Sequence, residues 1–279
     1  MNWLTNLWAT YNKGKLYDDL EEDATAFQVQ YMKEKIRAAN LAKQLSVVTK
    51  DYQTNNLIDQ LNKAMEEKYP AATIKYRGRS LPFSNEEIWF PVNCLITPYD
   101  PYIIQDLRKW GLYQTGENYE TLIPKIYKRI RLHYYKYTVD KTVWGRNEVW
   151  ELPFEMRAKG FKVGFDCDSW SQLQISYYIA AGAPYSLVRG VCGDTKIGGH
   201  STVYIYSLES TKWHHLNSTY GAVLHDKVSD YRASDQEDVI GVTKVWFSYD
   251  WKRCYYDFKN LKKAKELSGF KILRLDTKT

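Results

Sequence analysis

The sequence predicts an α+β fold in which helices come first and a mainly antiparallel sheet follows. Apolar residues recur at the three-and-four spacing of a helix face along 24–48 and again along 57–65. After Gly182 the spacing changes to two, in segments rich in Val, Ile, Tyr, Thr and Trp. Regular alternation of strands with helices, which would predict a parallel sheet, is missing.

Residues 1–70 are predicted to form a helical hairpin, because two amphipathic stretches occupy them and Pro70 ends the second. An acidic segment lies at 18–23. We treat 1–70 and 71–279 as two domains and expect the hairpin to be an interaction or covering element. A chain that begins near Ala71 is expected to remain folded.

The region from Tyr69 to Pro101 is interpreted as an irregular connection because it contains several prolines and aromatic residues. Helices are predicted from Asp100 to Gly111 and from Tyr119 to Tyr137. The second helix has a basic face interleaved with tyrosines. Such a face could bind a phosphate backbone, but a solvated helix surface explains it more simply. The basic residues are Lys125, Lys128, Arg129, Arg131 and Lys136.

Strands are predicted at 185–192, 200–208, 212–219 and 239–251, followed by a helix at 256–267 and a short strand at 270–275. A turn near Glu209 and Ser210 makes a hairpin of the second and third strands. In that hairpin, residues whose numbers sum to about 419 should lie opposite one another.

The composition excludes several classes of protein. With 26% charged residues, 8 Pro and 15 Gly among 279 residues, the chain is neither collagen-like nor largely disordered. No apolar stretch approaches the ~20 residues that cross a bilayer, and the first residues lack the features of a signal peptide. We therefore expect a cytoplasmic or virion-associated protein. The net charge of +6 is small for a dedicated nucleic-acid binder.

The four cysteines lie at 94, 167, 192 and 254 without a CxxC pair, which favours free thiols. Cys167 is singled out because it lies where a turn gives way to a predicted helix. Backbone N–H groups and the dipole at a helix N-terminus lower the pKa of a thiol, whereas the neighbouring Asp166 and Asp168 oppose ionisation. A thiolate at Cys167 would therefore need a nearby cation, and Cys167 is expected to react fastest of the four.

His200 is the predicted partner of Cys167. It follows Gly198 and Gly199, which have no side chains and would leave room for a substrate. The hairpin register places Asn217 one diagonal step from His200. A cysteine at a helix N-terminus, a histidine on a strand and a polar residue on the next strand are what nucleophilic acyl transfer requires.

Residues 120–220 resemble the transglutaminase-like cysteine proteases, most of all the bacterial transglutaminase-like cysteine proteinases. Five motifs occur in the order and spacing of that superfamily: Tyr137–Asp140, Trp150–Glu155, Gly164–Asp168, Gly199–His200, and Trp213 with Asn217. The resemblance implies a papain-like core, in which the helix carrying the cysteine packs on the sheet. Two positions depart from the pattern. Asn217 stands where the family usually has Asp, and Asp168-Ser169 where the bacterial subfamily commonly has Glu-Asp.

The expected activity is that of a cysteine-dependent hydrolase or acyl transferase on amide bonds of a peptide, protein or peptidoglycan. Thiolate Cys167 is the expected nucleophile, protonated His200 the acid, and Asn217 the residue that orients the ring. The backbone N–H of Cys167 is the first expected oxyanion donor, and Trp150 and Gln172 are weaker candidates for oxyanion or substrate contacts.

No cofactor and no metal is expected. A metal site formed by Cys167, His200 and His215 is the chemical rival, but the sequence does not favour it because no close pair of these ligands supports it. The alternative from another class is a binding or structural module, such as a component of a phage particle, that kept this fold and lost the reaction. Nucleic-acid binding through the basic helix is the third and least favoured function.

Overall fold

The computed structural model describes residues 71–78, 88–196, 198–217, 219, 224–231, 242–256 and 270–274, together with Lys63. The chain divides into two compact units, Met1–Gln60 and Leu61–Thr279, and all the described residues belong to the second. The hairpin predicted for 1–70 lies outside the described residues apart from Lys63. The helix predicted at 256–267 also lies outside them, except for Tyr256, which belongs to a strand.

The described ranges contain five α-helices. They are α1 (Pro101–Trp110), α2 (Tyr119–His133), α3 (Asp140–Trp144), α4 (Pro153–Lys159) and α5 (Cys167–Ala180). The predicted bounds of α1 are confirmed, because Asp100 accepts a hydrogen bond from the N–H of Tyr102 and Gly111 adopts a φ of 70° after the last turn. Across these ranges no helix is long and apolar enough to cross a membrane.

Helix α2 ends four residues before the predicted end at Tyr137, at His133. The chain leaves the helix there because Tyr137 forms a parallel bridge with Phe165, immediately before α5. The hydrogen bonds from Phe165 N to Lys136 O (3.0 Å) and from Thr138 N to Phe165 O (3.1 Å) hold this bridge. The bridge fixes the segment that enters α5.

The strands form one sheet in which every pair of neighbours is antiparallel. The strand order is β2-β1-β7-β6-β3-β4-β5, and β8 pairs with β1. The predicted α+β class with an antiparallel sheet is therefore confirmed. The strands are β1 (Ala71–Gly78), β2 (Ile88–Pro91), β3 (Val188–Thr195), β4 (Gly198–Ser207), β5 (Lys212–Leu216), β6 (Lys244–Tyr249), β7 (Cys254–Tyr256) and β8 (Phe270–Arg274).

The prediction of an irregular connection from Tyr69 to Pro101 is wrong where β1 and β2 lie, because these residues form strands. Within β1, Ile74 and Tyr76 alternate with polar residues, which is a period-two pattern. The prolines nearby hid this short pattern. Two partners of β1, the strands β7 and β8, lie near the other end of the chain, so the pairing itself could not be inferred from local sequence.

The register predicted for the β4–β5 hairpin is confirmed. Val203 lies opposite Leu216, and Ser207 lies opposite Lys212. Helix α5 packs against β3 and β4, and its side chains are almost all buried, including Trp170 and Tyr178. The sheet and α5 therefore bring the start of the helix close to the start of β4.

Asp106 in α1 ties α5 to two other helical segments. Its Oδ2 accepts hydrogen bonds from Tyr177 Oη of α5 (2.6 Å), from Tyr134 Oη just after α2 (3.1 Å) and from Arg157 Nη1 of α4 (2.7 Å). Asp106 is buried, so these three donors take the place of water around its carboxylate. This cluster holds α5 from the side away from its N-terminus.

Candidate active site

A cavity of about 190 Å³ lies at the N-terminus of α5. Cys167 and His200 both line it, so the structure brings the two predicted reactive residues to one site. The remaining walls are acidic and aromatic for the most part. They include Glu148, Asp166 and Asp168, the rings of Tyr137, Trp150, Trp246 and Phe247, and Cys192, Gly199 and Ser201.

Cys167 is the first residue of α5 and is half-buried. Its Sγ lies 3.4 Å from the backbone N of Ser201, which donates to it. Because Ser201 follows His200 in β4, this contact places the sulfur beside the histidine's strand. All four cysteines are free thiols, as predicted, and Cys94 is the exposed one.

The expected thiolate at Cys167 is contradicted by the surroundings of the sulfur. Burial raises the pKa of this thiol well above its ordinary value, and the charge of Asp166 raises it further. The hydrogen bond from Ser201 N lowers the pKa, but it is the smaller effect. At neutral pH the resting group is therefore a thiol.

His200 is half-buried and neutral at physiological pH. Burial lowers the pKa of its ring to about 4, while a hydrogen bond with the side chain of Asn217 acts in the opposite direction. Its Nε2 has no hydrogen-bond partner, so Nδ1 is the ring atom left for Asn217. Because this bond raises the pKa, it stabilises the protonated ring, as an accepting amide oxygen does.

Asn217 lies where the hairpin register predicts it, just after β5 and within hydrogen-bonding reach of His200. It is completely buried. Its Oδ1 accepts hydrogen bonds from Thr219 N (2.9 Å) and Thr219 Oγ1 (3.3 Å), and its backbone oxygen accepts from Tyr127 Oη (2.6 Å). The amide is therefore held from several directions.

Of the two weaker candidates, Trp150 lines the cavity and Gln172 does not. The indole Nε1 of Trp150 donates to Glu148 Oε1 (2.8 Å), so it is engaged away from a substrate oxygen. Gln172 follows Cys167 by five residues, which turns its side chain about 140° around the helix axis. It is fully buried on a different face of α5, so the prediction that it contacts the substrate is wrong.

Of the two glycines before His200, Gly199 leaves less room than predicted. A Cβ on Gly199 would lie 2.6 Å from the ring of Trp246, so the indole and not a substrate occupies that space. Gly198 has no heavy atom within 4 Å of such a position and adopts a φ of 139°, which favours glycine. The close approach of Trp246 forms part of the cavity wall.

A set of buried carboxylates surrounds the start of α5. Burial, followed by repulsion from Asp166, raises the pKa of Asp140 to about 9. Burial also raises the pKa of Glu151 to about 8, although Ser169 Oγ and Trp144 Nε1 donate hydrogen bonds to this carboxylate. The backbone N–H of Val149 donates to Asp140 at 2.5 Å. In the sequence, only the family motifs pointed to Asp140 and Glu151.

Among the described residues, one group of side chains could hold a metal ion. It consists of Asp166, Cys167 and Asp168, and one ligand atom of each lies within 4.8 Å of the others. Carboxylate oxygens suit a hard cation, whereas one thiol falls short of a zinc site. The rival set of Cys167, His200 and His215 does not form such a group among the described residues. The Nε2 of His215 instead lies 2.6 Å from Thr202 Oγ1.

Comparison with known proteins finds only solved structures that match at low scores. No protein-family model and no curated protein matches the sequence. Among solved structures, LapG of Legionella pneumophila matches with 19% identity over 63% of this chain and 93% of that chain, at a TM-score of 0.40. EGTA-treated LapG is 18% identical over 63% of this chain and 90% of that chain, at a TM-score of 0.40. Calcium-bound LapG is 15% identical over 55% of this chain and 87% of that chain, at a TM-score of 0.36. Scores this low transfer neither a site nor an activity, so function has to be argued from this chain's own residues.

Proposed function

We propose that the protein is a cysteine-dependent hydrolase or acyl transferase that acts on amide bonds, built on a papain-like core of the transglutaminase-like kind. One observation carries the proposal. A single cavity contains Cys167 at a helix N-terminus and His200, and Asn217 bonds the ring of that histidine. Those are the three roles of nucleophile, base and orienting group.

Because Cys167 is a thiol and His200 is neutral in the resting state, His200 acts as the general base. As Sγ of Cys167 bonds to the carbonyl carbon, the thiol proton passes to the unpartnered Nε2 of His200. The Oδ1 of Asn217 accepts from Nδ1–H of the resulting imidazolium. The backbone N–H of Cys167 has no acceptor within the helix, because it belongs to the first turn, and it stabilises the oxyanion.

The reaction then passes through a thioester on Cys167, and cleavage of the thioester regenerates the thiol. The imidazolium of His200 gives its proton to the leaving nitrogen as the C–N bond breaks, and the acyl group remains on Cys167. Water or an amine next attacks the thioester while losing a proton to Nε2, and that proton returns to the sulfur as the acyl group leaves. Hydrolysis and acyl transfer differ only in which nucleophile enters the cavity.

The proposed substrates are a peptide, a protein or peptidoglycan. The test is to incubate the protein with a peptide library and with purified peptidoglycan, with hydroxylamine present to capture acyl groups, and to identify products by mass spectrometry. New termini or hydroxamates are expected with the wild type and with Cys94→Ser, which changes the exposed thiol. Their loss is expected in Cys167→Ser and His200→Ala. Equal product from Cys167→Ser would contradict the proposal.

A binding or structural module remains the second candidate, because one observation favours it. The buried carboxylates Asp166 and Asp168 flank Cys167 and its thiol pKa is raised, which opposes nucleophilicity. Under this alternative, the same peptides or glycans would bind the wild type and Cys167→Ala with equal affinity, and neither protein would release a product.

A further inference from the structure

Two residues just after β5, Asn217 and Thr219, are tied to helix α2 through their backbone oxygens. We call these two residues the β5 exit. Tyr127 Oη donates to the carbonyl of Asn217 at 2.6 Å, and Arg131 Nη1 donates to the carbonyl of Thr219 at 2.8 Å. Tyr127, Asn217 and Thr219 are each completely buried, so water does not compete for these bonds.

The two donors are arranged on one face of α2. Tyr127 and Arg131 are four residues apart, which places them one above the other on a helix. The guanidinium of Arg131 lies 3.6 Å from the ring centroid of Tyr135 and 6.0 Å from that of Tyr127. This stacking restricts the guanidinium and directs it toward the β5 exit. Arg131 is therefore an inward-facing member of a helix whose basic residues suggested a phosphate-binding face.

Within the β5 exit, the backbone position decides where the amide of Asn217 points. Thr219 holds Oδ1 of Asn217 through both its N–H (2.9 Å) and its hydroxyl (3.3 Å). The same side chain bonds His200. Moving either backbone carbonyl would therefore move the acceptor that orients the imidazole.

We propose that Tyr127 and Arg131 are positioning residues for the candidate active site, and that they hold the β5 exit so that the amide of Asn217 meets His200. Their effect on turnover rests on the proposed function, whereas their effect on His200 does not. Neither side chain lines the cavity. They act through Asn217.

The direct test follows the pKa of His200 by NMR titration of imidazole carbon and nitrogen shifts, with His200→Gln used for assignment. Because the bond with Asn217 raises this pKa, Tyr127→Phe and Arg131→Lys are expected to lower it below the wild-type value of about 4. In the Asn217→Ala background, neither substitution should change it further. The other titratable groups that face His200 are unchanged in these variants. They are the cavity residues Cys167, Glu148, Asp166 and Asp168, together with His215, which interacts with His200.

Tyr119→Phe is the matched control. Tyr119 Oη, on the same helix, donates to the carbonyl of Tyr206 at 2.9 Å and accepts from Leu208 N at 3.1 Å, so the control loses a bond of the same kind, and one more, at the far end of β4. We expect it to lower stability in urea at least as much as Tyr127→Phe and to leave the pKa of His200 unchanged. If Tyr127→Phe does not fold, the half-buried Arg131 still permits the test through Arg131→Lys.

Once a substrate is identified, Tyr127→Phe and Arg131→Lys should lower kcat by about tenfold with KM unchanged, since a misplaced catalytic group affects the chemical step. A wild type without turnover would contradict the proposed function alone, because the NMR titration still decides the positioning role. A pKa of His200 that is the same in the wild type, Tyr127→Phe and Arg131→Lys would overturn this inference.

Discussion

Cys167 experiences two opposing electrostatic influences, the N-terminus of α5 and its burial beside carboxylates. The helix terminus stabilises an anion by about 0.3–1 kcal/mol at exposed sites and up to ~2 kcal/mol when partly buried. Burial and the charge of Asp166 act in the opposite direction and raise the pKa of the thiol well above its ordinary value. The larger effect keeps the thiol protonated and makes His200 a base, so the chemistry of the site depends on proton transfer during attack.

The residue that orients His200 can be tested by changing its charge. Asp at position 217 would keep an oxygen for Thr219 and would place a carboxylate against the imidazole. We expect Asn217→Asp to raise the pKa of His200 from about 4 by about one pH unit or more, because an opposite charge stabilises the protonated ring. The measurement is the acid limb of the rate profile, which should move to higher pH, with a higher rate at its optimum.

Asn217→Ala supplies the control for that prediction. It removes the hydrogen bond, so the acid limb should move to lower pH and the rate should fall. If Asn217→Asp and Asn217→Ala both have the same pH–rate profile as the wild type, Asn217 does not orient His200.

The elements show which parts of the site local sequence can predict. The β4–β5 register followed from period two and one turn, and it correctly put Asn217 near His200. The N-terminus of α5 at Cys167 followed from a turn before an apolar run. The opposing charge of the adjacent Asp166 was expected from the sequence, whereas the burial of Cys167 could not be predicted, because burial depends on how distant segments pack. The pairing of β1 with β7 and β8 could not be predicted for the same reason, since those two strands are remote from β1 in sequence.

The junction of the helices at Asp106 should contribute strongly to stability. Asp106→Ala leaves the hydroxyl of the buried Tyr177 and the guanidinium of Arg157 without their acceptor. We expect the free energy of unfolding to fall by about 3 kcal/mol, measured by urea denaturation. Lys125→Ala is the control, because its ion pair with Glu117 is exposed and should contribute less than about 0.5 kcal/mol. A loss at Asp106 as small as that of the control would show that water replaces the carboxylate.

At the scale of the whole molecule, the buried carboxylates predict a loss of stability at alkaline pH. Asp140 and Glu151 have folded-state pKa values of about 9 and about 8, above the ordinary values near ~4 that they regain on unfolding. The folded state therefore binds more protons in this window, and its stability falls as the pH rises through the folded pKa. Between about pH 7 and about pH 9, we expect the free energy of unfolding to fall by about 4 kcal/mol.

Asp140→Asn tests the cause of that loss. The amide oxygen can still accept from Val149 N but carries no charge. The variant should therefore lose less stability than the wild type over the same pH range, as measured by urea unfolding at each pH. A slope equal to that of the wild type would show that Asp140 is not the group that titrates.

Attack by Cys167 with neutral His200 as its base can be tested in one measurement that needs no known substrate. Acylation by p-nitrophenyl acetate is followed between about pH 3 and pH 9, and each acylated cysteine is quantified by peptide mass mapping. The exposed Cys94 serves as the internal reference, because its rate should rise about tenfold per pH unit below its own pKa.

For Cys167 we predict a plateau from about pH 5 to pH 8 and a fall below about pH 4, where His200 becomes protonated. His200→Ala should slow this acylation by about 100-fold and remove the acid limb. If Cys167 instead reacts at the same rate in His200→Ala, or follows the pH profile of Cys94, then Cys167 and His200 do not form a catalytic pair.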